Sequence, residues 1–61
     1  MNKMQAKEVA KLATAARMGM TDYAARGLSA LIRSAMSAKA REALMMQADI
    51  LGVRNHPEFI I

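Results

Sequence analysis

Thirteen alanines and seven methionines stand in this 61-residue chain against only twelve residues of leucine, isoleucine, valine or phenylalanine. That ratio constrains the fold more than any single motif. Hydrophobic stabilisation follows the apolar area removed from water, at about 25 cal/mol per Å², and alanine removes little. Ordering the backbone costs about 1–2 kcal/mol per residue, so a core built mostly from alanine comes close to break-even. The chain has no cysteine to staple it and no cysteine–histidine cluster to hold a structural metal. The expectation is one helical domain over residues 1–61 that completes its burial against another chain, either as a homodimer or on a protein partner.

Capping residues and apolar spacing divide the chain into three helical segments, at about 3–18, 21–36 and 37–51. In the first, Asn2 is placed as an N-cap and Gly19 lies just past the end, where a left-handed residue is favoured. Val9, Leu12, Ala13, Ala16 and Met20 recur on one face, and Lys3, Lys7 and Lys11 form a ladder on the opposite one. In the second segment Thr21 is the expected N-cap, with Asp22 in the first turn. Ala24, Leu28, Leu31, Ile32 and Ala35 face inward there, while Asp22, Arg26, Ser29 and Arg33 face outward. Gly27 falls inside this helix and suggests a close helix–helix approach. Ser37 is placed to cap the third segment, although segments two and three also read as one rod kinked at Ser34–Ser37. The third is apolar over much of its circumference, through Ala40, Ala43, Leu44, Met46, Ala48, Ile50 and Leu51. Only Arg41, Glu42, Met45 and Asp49 are left to face outward. A helix of that kind is normally covered on two sides. Gly52 ends it, and Pro57 keeps the tail, residues 53–61, extended and non-helical.

Nine basic residues against five acidic ones leave a net charge of +4. A basic balance in so short a chain suits nucleic acid, an anionic membrane surface or an acidic protein. No apolar run approaches the ~18 residues that a membrane span needs. The first twenty residues are basic and amphipathic, as in an organelle transit peptide, but Glu8 and the lack of a serine-rich stretch argue against that. Absence of cysteine fits a reducing cytoplasm. No catalytic constellation emerges: His56 is the only histidine and no second group is placed to work with it. Glu42 and Asp49, two turns apart, lack the Glu-x-x-His pairs of bundle metal sites. A non-enzymatic protein without metal, cofactor or small-molecule substrate is expected.

The run Lys11 to Leu28 resembles the helix-turn-helix of phage-repressor-like and Fis-like DNA-binding proteins. Ala15 stands where that motif has a small residue, Gly19 follows four residues later at the turn, and Met18 and Met20 flank the glycine. Ala25 and Leu28 point inward from the second helix. The resemblance implies a small dimeric regulator of transcription bound to duplex DNA, with Thr21, Asp22, Tyr23 and Arg26 toward the DNA and Lys7, Lys11 and Arg33 on phosphates. The small-x-x-x-Gly-apolar pattern recurs at Ala48–Val53, where Pro57 blocks a following helix. An alternative of a different class is an accessory or inhibitor protein of the kind found in phages and mobile elements. It would bind a protein partner through the apolar third helix and tail. In either case Leu44, Met46, Ile50, Leu51, Phe59, Ile60 and Ile61 are the expected oligomer or partner surface.

Overall fold

A computed structural model describes residues 2–61, and among these residues it contains helices and no strand: α1 (Lys3–Arg17), α2 (Thr21–Ser34) and α3 (Ala38–Leu51). Asn2 starts α1 by accepting the Gln5 amide on its side-chain oxygen at 2.8 Å. Gly19 ends it in a left-handed conformation, φ 88°. There the Met20 amide donates to the Ala15 carbonyl at 2.9 Å and the Gly19 amide to Ala16 at 3.1 Å. This paired arrangement, a Schellman motif, satisfies two of the carbonyls that a helix end leaves open. The second glycine pattern closes α3 identically, with Gly52 at φ 72° and the Val53 amide donating to Ala48 at 3.0 Å.

Two start signals differ in outcome. Ser37 caps α3 as its position suggests, accepting the Ala40 amide at 3.1 Å. Thr21 does not cap α2: it is the first helical residue, Met20 takes the cap position, and no side chain bonds there. The Schellman turn fixes the reason, because it leaves only Met18, Gly19 and Met20 between the helices. Helices two and three are separate. Ala35, with ψ 132°, leaves the helical region, and its methyl group is buried.

The core gathers Val9 and Leu12 from α1, Ala24, Ala25, Leu28 and Ile32 from α2, Leu44 and Ala48 from α3, then Ala35 and Val53 from the connections. α1 and α2 pack as an antiparallel pair. They come close at Gly27, where a side chain would run into Leu12. Farther from the turn, Leu31 of α2 still shares a surface recess with Asn2, Met4, Gln5 and Glu8 at the start of α1. The two helices therefore stay side by side over most of their length.

Several faces differ from the sequence expectation. Ser29 is buried rather than outward, and its hydroxyl donates to the Ala25 carbonyl at 2.8 Å, so its burial leaves no orphaned polar atom. On α3 the two neighbouring methionines exchange roles: Met45 packs partly against the core and Met46 is exposed. The buried line of α3 runs through Leu44 and Ala48. Met46 lies roughly 200° around the helix from Leu44, Met45 only about 100°. The tail does not run out as an extended arm. Residues 54–58 coil in turns, with the His56 amide donating to Val53 and the Phe59 amide to His56.

Candidate nucleic-acid interface

Positive charge is unevenly divided between the helices. α1 holds Lys3, Lys7, Lys11 and Arg17 with a single acidic residue, Glu8. Lysines four residues apart lie about 6 Å apart along a helix axis and about 40° around it, so the three form one slanting row. Arg17 continues the same outer face at its C-terminal end. Ala10 and Thr14 lie between these side chains, and Met4 and Met18 border them; all are exposed. Among the described residues no carboxylate pairs with any of the four cations.

The remaining arginines are engaged within the chain. Arg26 sits between two carboxylates, Asp22 one turn earlier and Glu58 of the tail, each at 3.3 Å. Arg33 donates through Nη1 to the Ile60 carbonyl. Arg54 grips both oxygens of Asp49, at 3.0 and 3.2 Å. Arg41 reaches the Ala35 carbonyl at 3.4 Å. The ion pairs among these are solvent-exposed and worth about 0–1 kcal/mol each. They still leave the least compensated charge on α1.

The tail explains why α2 presents its arginines this way. Glu58 meets Arg26 and Ile60 meets Arg33, two turns farther along the helix, so the tail runs along this flank of α2. Ser29 lies between the two arginines on that flank and is buried. Phe59, between the two tail contacts, packs partly against the core. His56 shapes the approach. Its Nδ1 accepts the Glu58 amide at 3.0 Å, holding the turn that carries the Glu58 carboxylate to Arg26.

The other expected DNA-facing residues divide. Lys7 and Lys11 stand in the α1 row. Thr21 and Tyr23 are exposed beside the α1–α2 turn, and Tyr23 shares a recess with Glu8, Met20, Asp22 and Arg26. With two carboxylates in its wall, that recess is a poor seat for phosphate. Arg17 was not singled out from the sequence, although its position four turns after Lys3 was the available signal. Glu58 was not singled out either, and nothing local in the sequence marks it as a partner for Arg26.

The expected partner surface also divides, because part of it is used internally. Leu44 is 0% exposed and belongs to the chain's own core, and Leu51 and Phe59 pack partly against that core. Met46 and Ile50, at 62% and 68% exposure, stand one turn apart on the outer face of α3, and Ile60 and Ile61 are exposed on the tail. Beside Met46, a shallow groove is floored by Ala38 and Met45 and edged by Arg41, Glu42, Asp49 and Arg54.

Among the described residues no three of the His, Cys, Asp and Glu side chains come together as a metal site, and no helix is long and apolar enough to cross a membrane. Comparison with protein-family models, curated proteins and solved structures finds no match to this chain.

Proposed function

We propose that the protein is a small DNA-binding regulator that holds duplex DNA by its phosphate backbone, with the outer face of α1 as the contact surface. The observation that carries this reading is the row Lys3, Lys7, Lys11 and Arg17, exposed and without carboxylate partners among the described residues, while Arg26, Arg33, Arg41 and Arg54 bond within the chain. Like charges spaced along one helix face repel each other; a phosphate chain relieves that repulsion with its opposite charge and releases its own counterions on binding. Base reading by α2 is set aside. That helix lies flat against α1, its arginines face the tail, and its outward residues include few long polar side chains suited to base edges.

Binding of this kind is strongly salt-dependent and weakly sequence-dependent. Each phosphate contact contributes about 0.9 to the slope of log affinity against log salt, so the four cations together should give a slope of about 3 to 4 per copy. Titration of a labelled duplex at several salt concentrations measures it. Replacing Lys7 and Lys11 by alanine should weaken binding at least tenfold at low salt. Undiminished affinity in that variant, or no binding by the native chain at about 0.05 M salt, would overturn the reading.

A second reading is favoured by Met46 and Ile50, two large apolar side chains left adjacent in water on α3. In this reading a second copy of the chain covers that face. Among the described residues, half of the twelve buried apolar ones are alanines, so the monomer core is thin, and pairing would present two lysine rows to one duplex. Sedimentation of the native chain against Ile50→Asp tests it: a monomer at micromolar concentration in both would exclude the dimer.

A further inference from the structure

The contacts between tail and α2 share one chemistry. A guanidinium at Arg26 meets a carboxylate, Glu58, and a guanidinium at Arg33, two turns on, meets a carbonyl oxygen, Ile60. Both partners are oxygen acceptors presented to arginines about 10 Å apart along the helix axis. A nucleic-acid backbone presents a run of oxygen acceptors too, there anionic, which arginine's planar fork binds bidentately. The tail's hold on α2 is divided between Phe59, which packs partly against the core, and these solvent-facing contacts at either side of it. Glu58 is therefore able to leave Arg26 while Phe59 stays in place.

We propose that Glu58 and the Ile60 carbonyl are internal stand-ins for phosphate, and that the Arg26–Arg33 flank of α2 is a second phosphate-binding surface whose guanidiniums the tail engages and a polyanion frees. This rests on the reading of the chain as a phosphate-backbone binder. It makes the tail a competitive brake: the carboxylate of Glu58 occupies the arginine that a phosphate would otherwise take. Asp22 also bonds Arg26, at 3.3 Å, and still offsets part of its charge when Glu58 departs, so the gain on release is modest. The brake is weak by construction, since an exposed ion pair contributes at most about 1 kcal/mol, or about fivefold in affinity.

Glu58→Gln keeps the size of the side chain and removes its charge. It should bind a 20-base-pair duplex of mixed sequence about three- to fivefold more tightly than the native chain, with a steeper salt slope. Glu42→Gln removes the same charge from α3, away from both arginines, and controls for net charge; it should give less than half of that gain. The double variant Glu58→Gln/Arg26→Ala should lose the gain entirely. An affinity unchanged in Glu58→Gln, a gain matched by Glu42→Gln, or a gain that survives Arg26→Ala would each overturn the proposal. If the native chain binds through Lys7 and Lys11 and Glu58→Gln adds nothing, only this inference fails. If neither protein binds duplex, the phosphate-binding reading fails with it.

Discussion

Gly27 of α2 stands so close to Leu12 of α1 that a Cβ atom built on it would lie 2.8 Å from Leu12 Cδ1 and nearer still to Cδ2. Leu12 is almost wholly buried, so room for a methyl group is made only by moving a core side chain. Glycine costs about 1 kcal/mol relative to alanine inside a helix, and here the cost is outweighed by the contact it allows. Gly27→Ala should therefore destabilise the protein by about 1–3 kcal/mol through overpacking, despite its better helix propensity. Thermal unfolding followed by circular dichroism measures this, and a variant more stable than the native chain would refute it.

The two cap glycines fail for a different reason. Nothing lies within 4 Å of a Cβ built on Gly19 or Gly52, yet both have positive φ. A left-handed conformation costs an L-residue about 1–2 kcal/mol. Gly19→Ala and Gly52→Ala should each lower stability by about 1 kcal/mol without any packing defect. The methyl group added at Gly27 meets Leu12 of α1 whichever way α2 repacks, whereas D-alanine introduced by synthesis at position 19 or 52 should restore stability.

Leu44 and Met46 separate the two uses of α3. Leu44→Ala should cost about 2–5 kcal/mol by opening a cavity in the core. Met46→Ala should change stability by no more than about 0.5 kcal/mol, since its side chain meets water. Urea unfolding of both variants decides the point. Equal losses would mean that the burial of Leu44 does not dominate the fold.

What the sequence disclosed depended on how local the determinant was. Asn2, Ser37, Gly19 and Gly52 act within a few residues of themselves, so all four helix-ending roles were legible, and the three segments fell within two residues of their structural bounds. Gly27 was legible because alanines surround it. Faces were harder. Val9, Leu12 and Leu28 sit on stripes broad enough to survive an error of one position. On α3 nearly every residue is apolar or small, and composition alone could not tell Met45 from Met46. Ser29 was misplaced because a serine hydroxyl can satisfy itself on the preceding turn, as it does on Ala25, so polarity did not imply exposure. The tail contacts were hidden for another reason. Glu58–Arg26 and Ile60–Arg33 join residues 32 and 27 apart, and they meet only in the folded chain, where Val53 and Phe59 pack on the core and His56 holds the turn.

His56 is a structural acceptor in that tail. Replacing it by alanine removes the only side-chain acceptor of the Glu58 amide, a loss of about 0.5–1.5 kcal/mol in local stability. Amide hydrogen exchange should show faster exchange at Glu58 and Phe59 in His56→Ala, with the amides of α1 unchanged. Asparagine presents its side-chain oxygen at a similar reach, so His56→Asn should recover part of the protection. Equal protection of the tail in the native chain and His56→Ala would show that the imidazole contributes nothing.

Arg17 and Arg54 carry the same charge in different company. Arg17 ends the open α1 row, whereas Arg54 donates through Nη1 to both carboxylate oxygens of Asp49. If net charge alone governed DNA affinity, Arg17→Ala and Arg54→Ala would weaken binding equally. Phosphate contact through α1 predicts otherwise. Arg17→Ala should flatten the salt slope by about 0.9, the increment of one lost contact. Arg54→Ala should leave the slope within error, because its guanidinium is already neutralised locally and faces α3. Both positions are exposed, so neither substitution should disturb the fold by more than about 0.5 kcal/mol, and circular dichroism can verify that before the titrations are compared. Identical slopes for the two variants would remove α1 as the contact surface.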